Sequence, residues 1–308
     1  MTRIFIDGSA GTTGLRIYDR LNGREGLELI TLPEALRKDP QARRDAILSS
    51  EITFLCLPDD AAKEAVAMVG DADTKIIDTS TAHRTATGWA YGFLELAGQT
   101  EKILSSNRIA NPGCHASGFI ALVAPLIRAG LVAADAALTC FSLTGYSGGG
   151  KKMIAQYEAP DRDPLLEAPR QYGLTQQHKH LKEMVVLSGL TVAPVFCPIV
   201  APFYSGMEVT VPLFREQLRG SVSDLKDVYA AAYSGPIVRF VPDAGEGGFL
   251  SAAAYSGRDD MEITIDGNDE RILLTARYDN LGKGASGAAI QTMNLLLGQD
   301  QTAGLVLD

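Results

Sequence analysis

Short apolar runs alternate with amphipathic segments over the first third of the chain. Four runs have the length and composition of buried strands, at residues 3–7, 27–31, 52–57 and 75–78. The segments between them carry apolar residues at helical spacing, over residues 15–21, 42–49 and 60–69. Strands that alternate with helices predict a doubly wound parallel α/β sheet, which binds its ligands at the carboxyl ends of the strands.

From residue 137 the pattern changes to strands with few helices between them. Strand-like runs lie at residues 137–144, 192–197, 206–212, 261–266 and 271–278, with one helical segment over 222–233. This order predicts an α+β domain with a mixed or antiparallel sheet. The chain then closes with an apolar helical segment, AAIQTMNLLLG.

Composition narrows the class of protein. The chain has 308 residues and a net charge of −9 with the two signs interspersed, which argues against a nucleic-acid partner. We expect no membrane partner either, because no apolar run reaches the length of a membrane span, and the N-terminus lacks a signal-peptide pattern. Four cysteines without a CxxC pair indicate neither a disulfide framework nor a zinc site. We therefore expect a reduced, cytoplasmic protein without a metal.

A glycine-rich turn joins the first predicted strand to the first predicted helix. Gly8, Gly11 and Gly14 are spaced as GxxGxxG, and Thr12 and Thr13 stand between the last two. Such glycines let the backbone approach a pyrophosphate, and the following helix offers free N–H groups and a positive dipole end. The turn thus predicts a dinucleotide site, although a tight connection without a ligand is the alternative.

The choice between NAD and NADP depends on the residues that follow the second predicted strand. An NAD site usually has an acidic residue there, and Glu34 is available. Arg37 and Lys38 follow it and suit the 2′-phosphate of NADP. We expect NADP(H), with NAD as the alternative.

One cysteine follows Pro112-Gly113 at the start of a long apolar segment. The sequence NPGCHASGF places Cys114 at the first turn of a predicted buried helix, where free N–H groups and the helix dipole stabilise a thiolate. The cysteines at positions 56, 140 and 197 lie inside apolar runs that are typical of packed thiols. Cys114 is therefore the candidate nucleophile.

Two further segments carry candidate chemistry. In QQHKHLKEM, His180 and Glu183 share a face if the segment is helical, and a histidine oriented by a carboxylate is a general acid–base. His178 would then point away from His180, so a metal pair is not expected. The alternative is a polar surface helix. The glycine-rich stretch GYSGGG at residues 145–150, followed by Lys151 and Lys152, forms either an anion-binding nest or a flexible loop.

Five motifs together resemble the N-acetyl-γ-glutamyl-phosphate reductase family. They are GSAGTTG, NPGCHASG, TGYSGGGKK, HKHLKE and NLGKGASGAAIQTMN, and they run from residue 8 to residue 294. The short chain and the GSAGTTG turn resemble the second, shorter type of this family. The chain more distantly resembles aspartate-semialdehyde dehydrogenase and glyceraldehyde-3-phosphate dehydrogenase. The resemblance implies NADPH-dependent reduction of N-acetyl-γ-glutamyl phosphate to N-acetylglutamate 5-semialdehyde, with release of inorganic phosphate, in arginine biosynthesis.

The resemblance also implies roles for single residues. Cys114 would form a thioester with the acyl group, and His180 would act as the acid–base. Asn280 and Gly282 would contact the cofactor. The residues expected to contact substrate are Arg84, Glu183 and Lys151. The stretch GYSGGGKK departs from the GxSGxGR-like stretch of first-type enzymes, which puts the role of its basic position in doubt.

The implied architecture is a Rossmann-type domain interrupted by a catalytic domain. The dinucleotide-binding domain would comprise residues 1–112 and 283–308, and the catalytic and oligomerisation domain residues 113–282. We expect a homo-oligomer, either a dimer or a tetramer. Alternative functions are another acyl-phosphate reductase, acting on aspartyl phosphate or an aminoadipate-type substrate, a nucleotide-binding regulatory module without chemistry, and a thiol hydrolase without a cofactor.

Overall fold

The computed structural model describes residues 1–307, which divide into two compact units. The first unit comprises residues 1–94, 98–112 and 285–305. The second comprises residues 95–97, 113–284 and 306–307. Asp308, the last residue of the predicted dinucleotide-binding domain, lies outside the described residues. Strands and helices are numbered below in chain order.

The first unit is built on a parallel sheet of six strands. The strands are β1 (Thr2–Asp7), β2 (Leu27–Ile30), β3 (Ile52–Leu55), β4 (Lys75–Asp78), β5 (Ala90–Tyr91) and β6 (Arg108–Ala110). Their order across the sheet is β2-β1-β3-β4-β6-β5. Because β2 and β3 lie on opposite sides of β1, the connections diverge there and leave a crevice beyond the carboxyl end of β1.

Helices cover both faces of this sheet. They are α1 (Thr12–Leu21), α2 (Pro40–Leu48), α3 (Asp59–Val69), α4 (Gln99–Leu104) and α9 (Gly287–Leu296). Successive strand residues point to opposite faces, so Ile4 packs with Ile17 of α1 and Ile290 of α9. Its neighbour Phe5 packs with Ile47 of α2 on the other face. Because both faces of the sheet are buried, its strands consist of continuous runs of apolar residues.

The second unit contains a mixed sheet of seven strands. The strands are β7 (Thr139–Gly145), β8 (Arg170–Gln171), β9 (Val195–Ala201), β10 (Met207–Phe214), β11 (Val238–Phe240), β12 (Met261–Gly267) and β13 (Arg271–Tyr278). Their order is β11-β12-β13-β10-β7-β9-β8. The pairs β7–β9 and β11–β12 are parallel, and the other neighbours are antiparallel.

A buried helix packs on one face of the mixed sheet. The helices of this unit are α5 (Cys114–Arg128), α6 (Gly150–Glu158), α7 (Leu181–Ser188) and α8 (Val222–Ala232). A Cβ atom on Gly118 of α5 would lie 2.7 Å from the Val209 side chain of β10, so glycine permits this close approach. The hydroxyls of Tyr229 and Tyr233 donate hydrogen bonds to the carbonyl oxygens of Leu122 and Ala121 in α5, 2.6 Å away in each case. The long apolar segment is therefore fixed as a central helix.

The predicted fold class is confirmed: a doubly wound parallel sheet is accompanied by an α+β unit with a mixed sheet. One local prediction is wrong. Helix α7 begins at Leu181, so His178 and His180 precede it, and their rings contact each other with centroids 4.7 Å apart instead of pointing away. The cause is a turn, in which the backbone N–H of His180 donates to Nδ1 of His178. No helix within residues 1–307 is long and apolar enough to cross a membrane.

Candidate active site

The glycine turn between β1 and α1 is packed so tightly that two of its positions require glycine. Gly8 has a left-handed φ of 88°, and a Cβ atom there would lie 2.3 Å from the Cys56 carbonyl oxygen. A Cβ atom on Gly14 would lie 2.4 Å from the Gly8 carbonyl oxygen. Gly11 caps α1 without a side-chain hydrogen bond, so the first N–H groups of the helix, including those of Thr12 and Thr13, face the turn. This backbone fits a pyrophosphate.

A cavity of about 940 Å³ lies beside this turn, and it is large enough for the adenosine part of a dinucleotide. Apolar side chains from the ends of β2 and β3, including Leu32 and Leu57, form part of its wall. Arg37, Lys38 and Arg43 line it as well, whereas Glu34 does not. The one acidic residue on the wall, Asp7, forms an ion pair with Arg43. Burial raises the pKa of Asp7, and the charge of Arg43 opposes this shift.

Cys114 is the first residue of α5, as the sequence predicts. Gly113 caps the helix in an extended conformation and, having no side chain, makes no capping hydrogen bond to the first N–H groups of the helix. The thiol is half-buried, and its Cβ atom packs against Gly284, where an added Cβ would lie 3.1 Å away. The hydroxyl of Tyr278 donates to the Cys114 carbonyl oxygen at 2.5 Å, which fixes the backbone. The helix dipole stabilises negative charge at this position.

Glu183 joins His180 to the segment that carries the nucleophile. Its Oε2 accepts a hydrogen bond from the Gly113 N–H at 3.1 Å, and its Oε1 lies 3.8 Å from Nε2 of His180. Both side chains are almost fully buried. The predicted pairing of His180 with Glu183 therefore exists, although it is made across the start of α7 and not within a helix.

His115, the residue that follows Cys114, lies in a polar cluster. Its Nδ1 is 2.6 Å from Oγ of Ser142, and its Nε2 is 2.6 Å from the hydroxyl of Tyr172. Burial, together with smaller contributions from the neighbouring His178 and Lys179, lowers the pKa of His115 to about 3, so the ring is neutral at pH 7. Burial raises the pKa of Tyr172, and the charge of Cys114 adds to this effect. Tyr172 therefore lies close enough to the Cys114 thiol to interact with it electrostatically. Because the two residues are 58 positions apart, no sequence pattern indicated this interaction.

The NLGKG segment, residues 280–284, is held by internal contacts of the second unit. The amide of Asn280 donates to Oγ of Ser147 and accepts from the Gly206 N–H, each at 3.0 Å. A Cβ atom on Gly282 would lie 1.8 Å from the Arg258 carbonyl oxygen, so packing alone requires glycine there. Asn280 also links the segment to the glycine-rich turn at 145–150.

The other two predicted substrate contacts, Arg84 and Lys151, belong to different units. Arg84 belongs to the first unit, where its guanidinium donates to the carbonyl oxygens of Asn111 and Thr79 at 3.0 and 3.1 Å. These two hydrogen bonds connect the segments that follow β4 and β6. Lys151 is exposed in the first turn of α6.

A second oriented histidine in the first unit was missed from the sequence. Nδ1 of His83 lies 2.6 Å from Oδ2 of the buried Asp78, and its ring stacks on Trp89 with centroids 4.0 Å apart. The only sequence signal was a histidine shortly after a strand end, and without the fold that signal is weak.

Comparison with known proteins gives a family match over most of the chain. The model of the semialdehyde dehydrogenase dimerisation domain matches residues 114–280. N-acetyl-gamma-glutamyl-phosphate reductase 2 of Pseudomonas putida is 45% identical, over 98% of this chain and 98% of its own.

Solved structures share the fold at low sequence identity. Aspartate semialdehyde dehydrogenase II of Vibrio cholerae, complexed with ASA, superimposes with a TM-score of 0.72 at 15% identity, covering 97% of this chain and 98% of that one. The Candida albicans aspartate semialdehyde dehydrogenase with NADP gives a TM-score of 0.67 at 15% identity, covering 96% and 98%. These likenesses establish the fold alone.

Proposed function

The chain belongs to the N-acetyl-γ-glutamyl-phosphate reductase family, and from that premise we propose that it reduces N-acetyl-γ-glutamyl phosphate to N-acetylglutamate 5-semialdehyde, releasing inorganic phosphate, in arginine biosynthesis. The observation that carries the proposal is the 45% identity with a reductase of this name over 98% of both chains. The arrangement of Cys114, Glu183 and His180 supports the same conclusion, because acyl transfer through a thiol needs a nucleophile and an oriented acid–base.

Cys114 acts as the nucleophile. Its thiolate attacks the acyl carbon of the substrate, the new C–S bond replaces the bond to the phosphate oxygen, and inorganic phosphate leaves with the electron pair. The uncapped N-terminus of α5 supports the negative sulfur before attack. A thioester on Cys114 divides one difficult step into two easier ones.

His180 transfers a proton to and from the reacting oxygen. The imidazole gives a proton to the carbonyl oxygen as negative charge develops on it, and it takes that proton back when the aldehyde leaves the sulfur. Glu183 holds the ring through its contact with Nε2 and holds Gly113 through its other oxygen. The carboxylate thus keeps the acid–base and the nucleophile in a fixed relation.

We assign NADP(H) as the cofactor. The N-terminus of α1, with Gly8, Gly11, Thr12, Thr13 and Gly14, would hold the pyrophosphate, and the cavity beside it would hold the adenosine. The cavity wall carries Arg37 and Lys38 but not Glu34, which favours a 2′-phosphate over a free ribose hydroxyl. When bound, NADPH supplies the hydride that reduces the thioester carbon. Asn280 and Gly282 remain candidates for cofactor contact.

Cofactor binding is assigned to the first unit and catalysis to the second. Lys151 follows a glycine-rich turn and is a candidate ligand for a substrate anion. We also propose Arg84 for substrate binding. Fewer of its donors are available to a substrate, because two of them already bond backbone carbonyl oxygens. Within the described residues the cysteines form no disulfide, which fits a reducing compartment such as the cytoplasm.

The outer face of the mixed sheet supports a homo-oligomer. Phe141 of β7, Val195 of β9 and Leu273 of β13 are 46%, 55% and 42% exposed, although strand residues of this apolar type are normally covered. They share one face of the sheet because alternate residues of each strand point the same way. We assign this face as the interface between two copies, in keeping with the matched dimerisation domain.

The reverse reaction tests the substrate assignment. Purified protein is supplied with NADP and phosphate, and with either N-acetylglutamate semialdehyde or aspartate semialdehyde. We expect turnover with the acetylated aldehyde to exceed that with aspartate semialdehyde in kcat/KM. A clear preference for aspartate semialdehyde would reverse the assignment, and no phosphate-dependent oxidation of either would overturn the reductase function.

A further inference from the structure

A buried ion pair stands at the carboxyl end of β1, on the wall of the cavity beside the glycine turn. Nε of Arg43, from α2, donates to Oδ2 of Asp7 at 3.0 Å. Arg43 is only 8% exposed, and Asp7 is buried as well. Ion pairs of this kind cost desolvation energy and add little net stability compared with apolar packing. Because the Asp7–Arg43 pair lies on the wall of a ligand cavity, its position indicates a role in function.

The ion pair occupies only one side of the guanidinium. Nη2 of Arg43 lies 2.9 Å from the same oxygen, Asp7 Oδ2, but without hydrogen-bond geometry, and it is buried without another protein partner among residues 1–307. Of the five N–H bonds of the side chain, Asp7 satisfies the one on Nε. The edge formed by Nη1 and Nη2 is the edge with which arginine binds phosphates in a bidentate manner.

We propose that Arg43, aimed by Asp7, binds the 2′-phosphate of NADP and is the residue by which this chain distinguishes NADP from NAD. The inference rests on the proposed use of NADP(H) and adds the residue that determines it. Arg43 enters the cavity from α2, whereas the residues expected from the sequence, Arg37 and Lys38, lie in the preceding loop.

Burial and rigidity separate Arg43 from the two loop cations. Arg37 and Lys38 are exposed, so solvent screens their charges, and ordering their long side chains costs entropy. Arg43 is already held by Asp7 in a low-dielectric wall, where a charge-assisted hydrogen bond is stronger. We therefore expect Arg37 and Lys38 to add only weakly to the preference for NADP, and Arg43 to provide most of the discrimination.

The variants are chosen so that the fold survives. Removing Arg43 alone would leave Asp7 buried without a partner, which strongly destabilises proteins. The double variant Asp7→Asn with Arg43→Gln removes both charges together, and Arg43→Lys keeps the charge but loses the planar fork. Arg44→Gln is the matched control, because Arg44 is the next residue of α2 but is exposed and bonds the Met68 carbonyl oxygen instead.

Isothermal titration calorimetry of the full chain with NADP, NAD and 2′,5′-ADP measures the effect without turnover. We expect the double variant to lose about 10- to 100-fold in affinity for NADP and 2′,5′-ADP, the range that loss of hydrogen bonds to a charged group produces, with NAD affinity unchanged. Arg43→Lys should show an intermediate loss for the same two ligands, and Arg44→Gln no change.

Two outcomes would overturn the inference in different ways. If wild-type protein prefers NADP and the double variant retains that preference, Arg43 is not the discriminating residue and the cofactor assignment stands. If wild-type protein binds NAD and NADP equally, the proposed cofactor preference itself fails, and the role of Arg43 fails with it. Equal losses for NAD and NADP in Arg43→Lys would assign Arg43 a purely structural role.

Discussion

Cys114 differs from the other thiols of the chain in its surroundings. Cys56 is half-buried in the first unit, and desolvation raises its pKa to about 12, with hydrogen bonding from Thr79 opposing that shift. Burial also raises the pKa of Cys140. Neither is a thiolate at neutral pH, so neither is reactive. Cys114 alone stands at a helix N-terminus, and the N–H of the preceding Gly113 donates to Glu183, whose other oxygen lies 3.8 Å from Nε2 of His180.

His115 makes a pH-dependent contribution to stability that can be predicted in sign. The folded protein lowers its pKa from 6.5 to about 3, so the unfolded chain binds a proton in that interval and the folded chain does not. The stabilisation is complete above pH 6.5 and is lost as the pH falls towards 3, at up to about 1.4 kcal/mol per pH unit.

Urea unfolding of the wild type and of His115→Gln at several pH values checks this prediction. Glutamine cannot titrate but can still bond Ser142 and Tyr172. We expect the free energy of unfolding of the variant to fall less steeply with acidification than that of the wild type. Equal slopes would mean that His115 is not held neutral in the folded protein.

At the scale of elements, the turn between β1 and α1 depends on where a Cβ atom can fit. Ala at position 14 would press on the Gly8 carbonyl, whereas a Cβ atom on Gly11 would lie at an ordinary 3.4 Å from the same oxygen. We expect Gly14→Ala to destabilise the protein by about 1–3 kcal/mol, the usual cost of overpacking, and Gly11→Ala to have little effect. Thermal unfolding of the two variants compares them directly, and equal midpoints would refute the packing argument.

Local sequence patterns predicted the elements that depend on local rules. The glycine turn, the strand–helix alternation and the helix that begins at Cys114 follow from periodicity and capping, which involve neighbouring residues. The start of α7 was misplaced, because a turn at His178 and His180 competes with the helix that the polar pattern favours. Element boundaries depend on such small differences in local energy.

Contacts between distant positions could not be predicted in this way. Asp7 and Arg43 are 36 residues apart, and His115 and Tyr172 are 57 apart. Strand order and helix packing bring these pairs into contact, and local residue spacing predicts neither. The motifs indicated Cys114, His180 and Glu183, but they could not reveal that Glu183 accepts a hydrogen bond from Gly113 while its other oxygen lies 3.8 Å from Nε2 of the histidine.

For the whole molecule, the exposed apolar face of the mixed sheet predicts assembly. Phe141 lies on β7, between β10 and β9, so a charge there would be buried at the centre of an interface. We expect Phe141→Glu to give a monomer by size-exclusion chromatography with light scattering, whereas the wild type gives a dimer or tetramer. Phe249→Glu is the control, because Phe249 is also an exposed phenylalanine but lies outside the strands. An unchanged mass for Phe141→Glu would place the interface elsewhere.

The central claim is that the acyl group passes through the sulfur of Cys114. Rapid mixing of the protein with N-acetyl-γ-glutamyl phosphate in the absence of NADPH, followed by acid quench, measures released phosphate and, by mass spectrometry of peptides, the acylated residue. The account predicts a stoichiometric burst of phosphate with the acyl group on the Cys114 peptide, both lost in Cys114→Ser and both retained in Cys197→Ser. A burst that survives in Cys114→Ser, or an acyl group on any other residue, would contradict it.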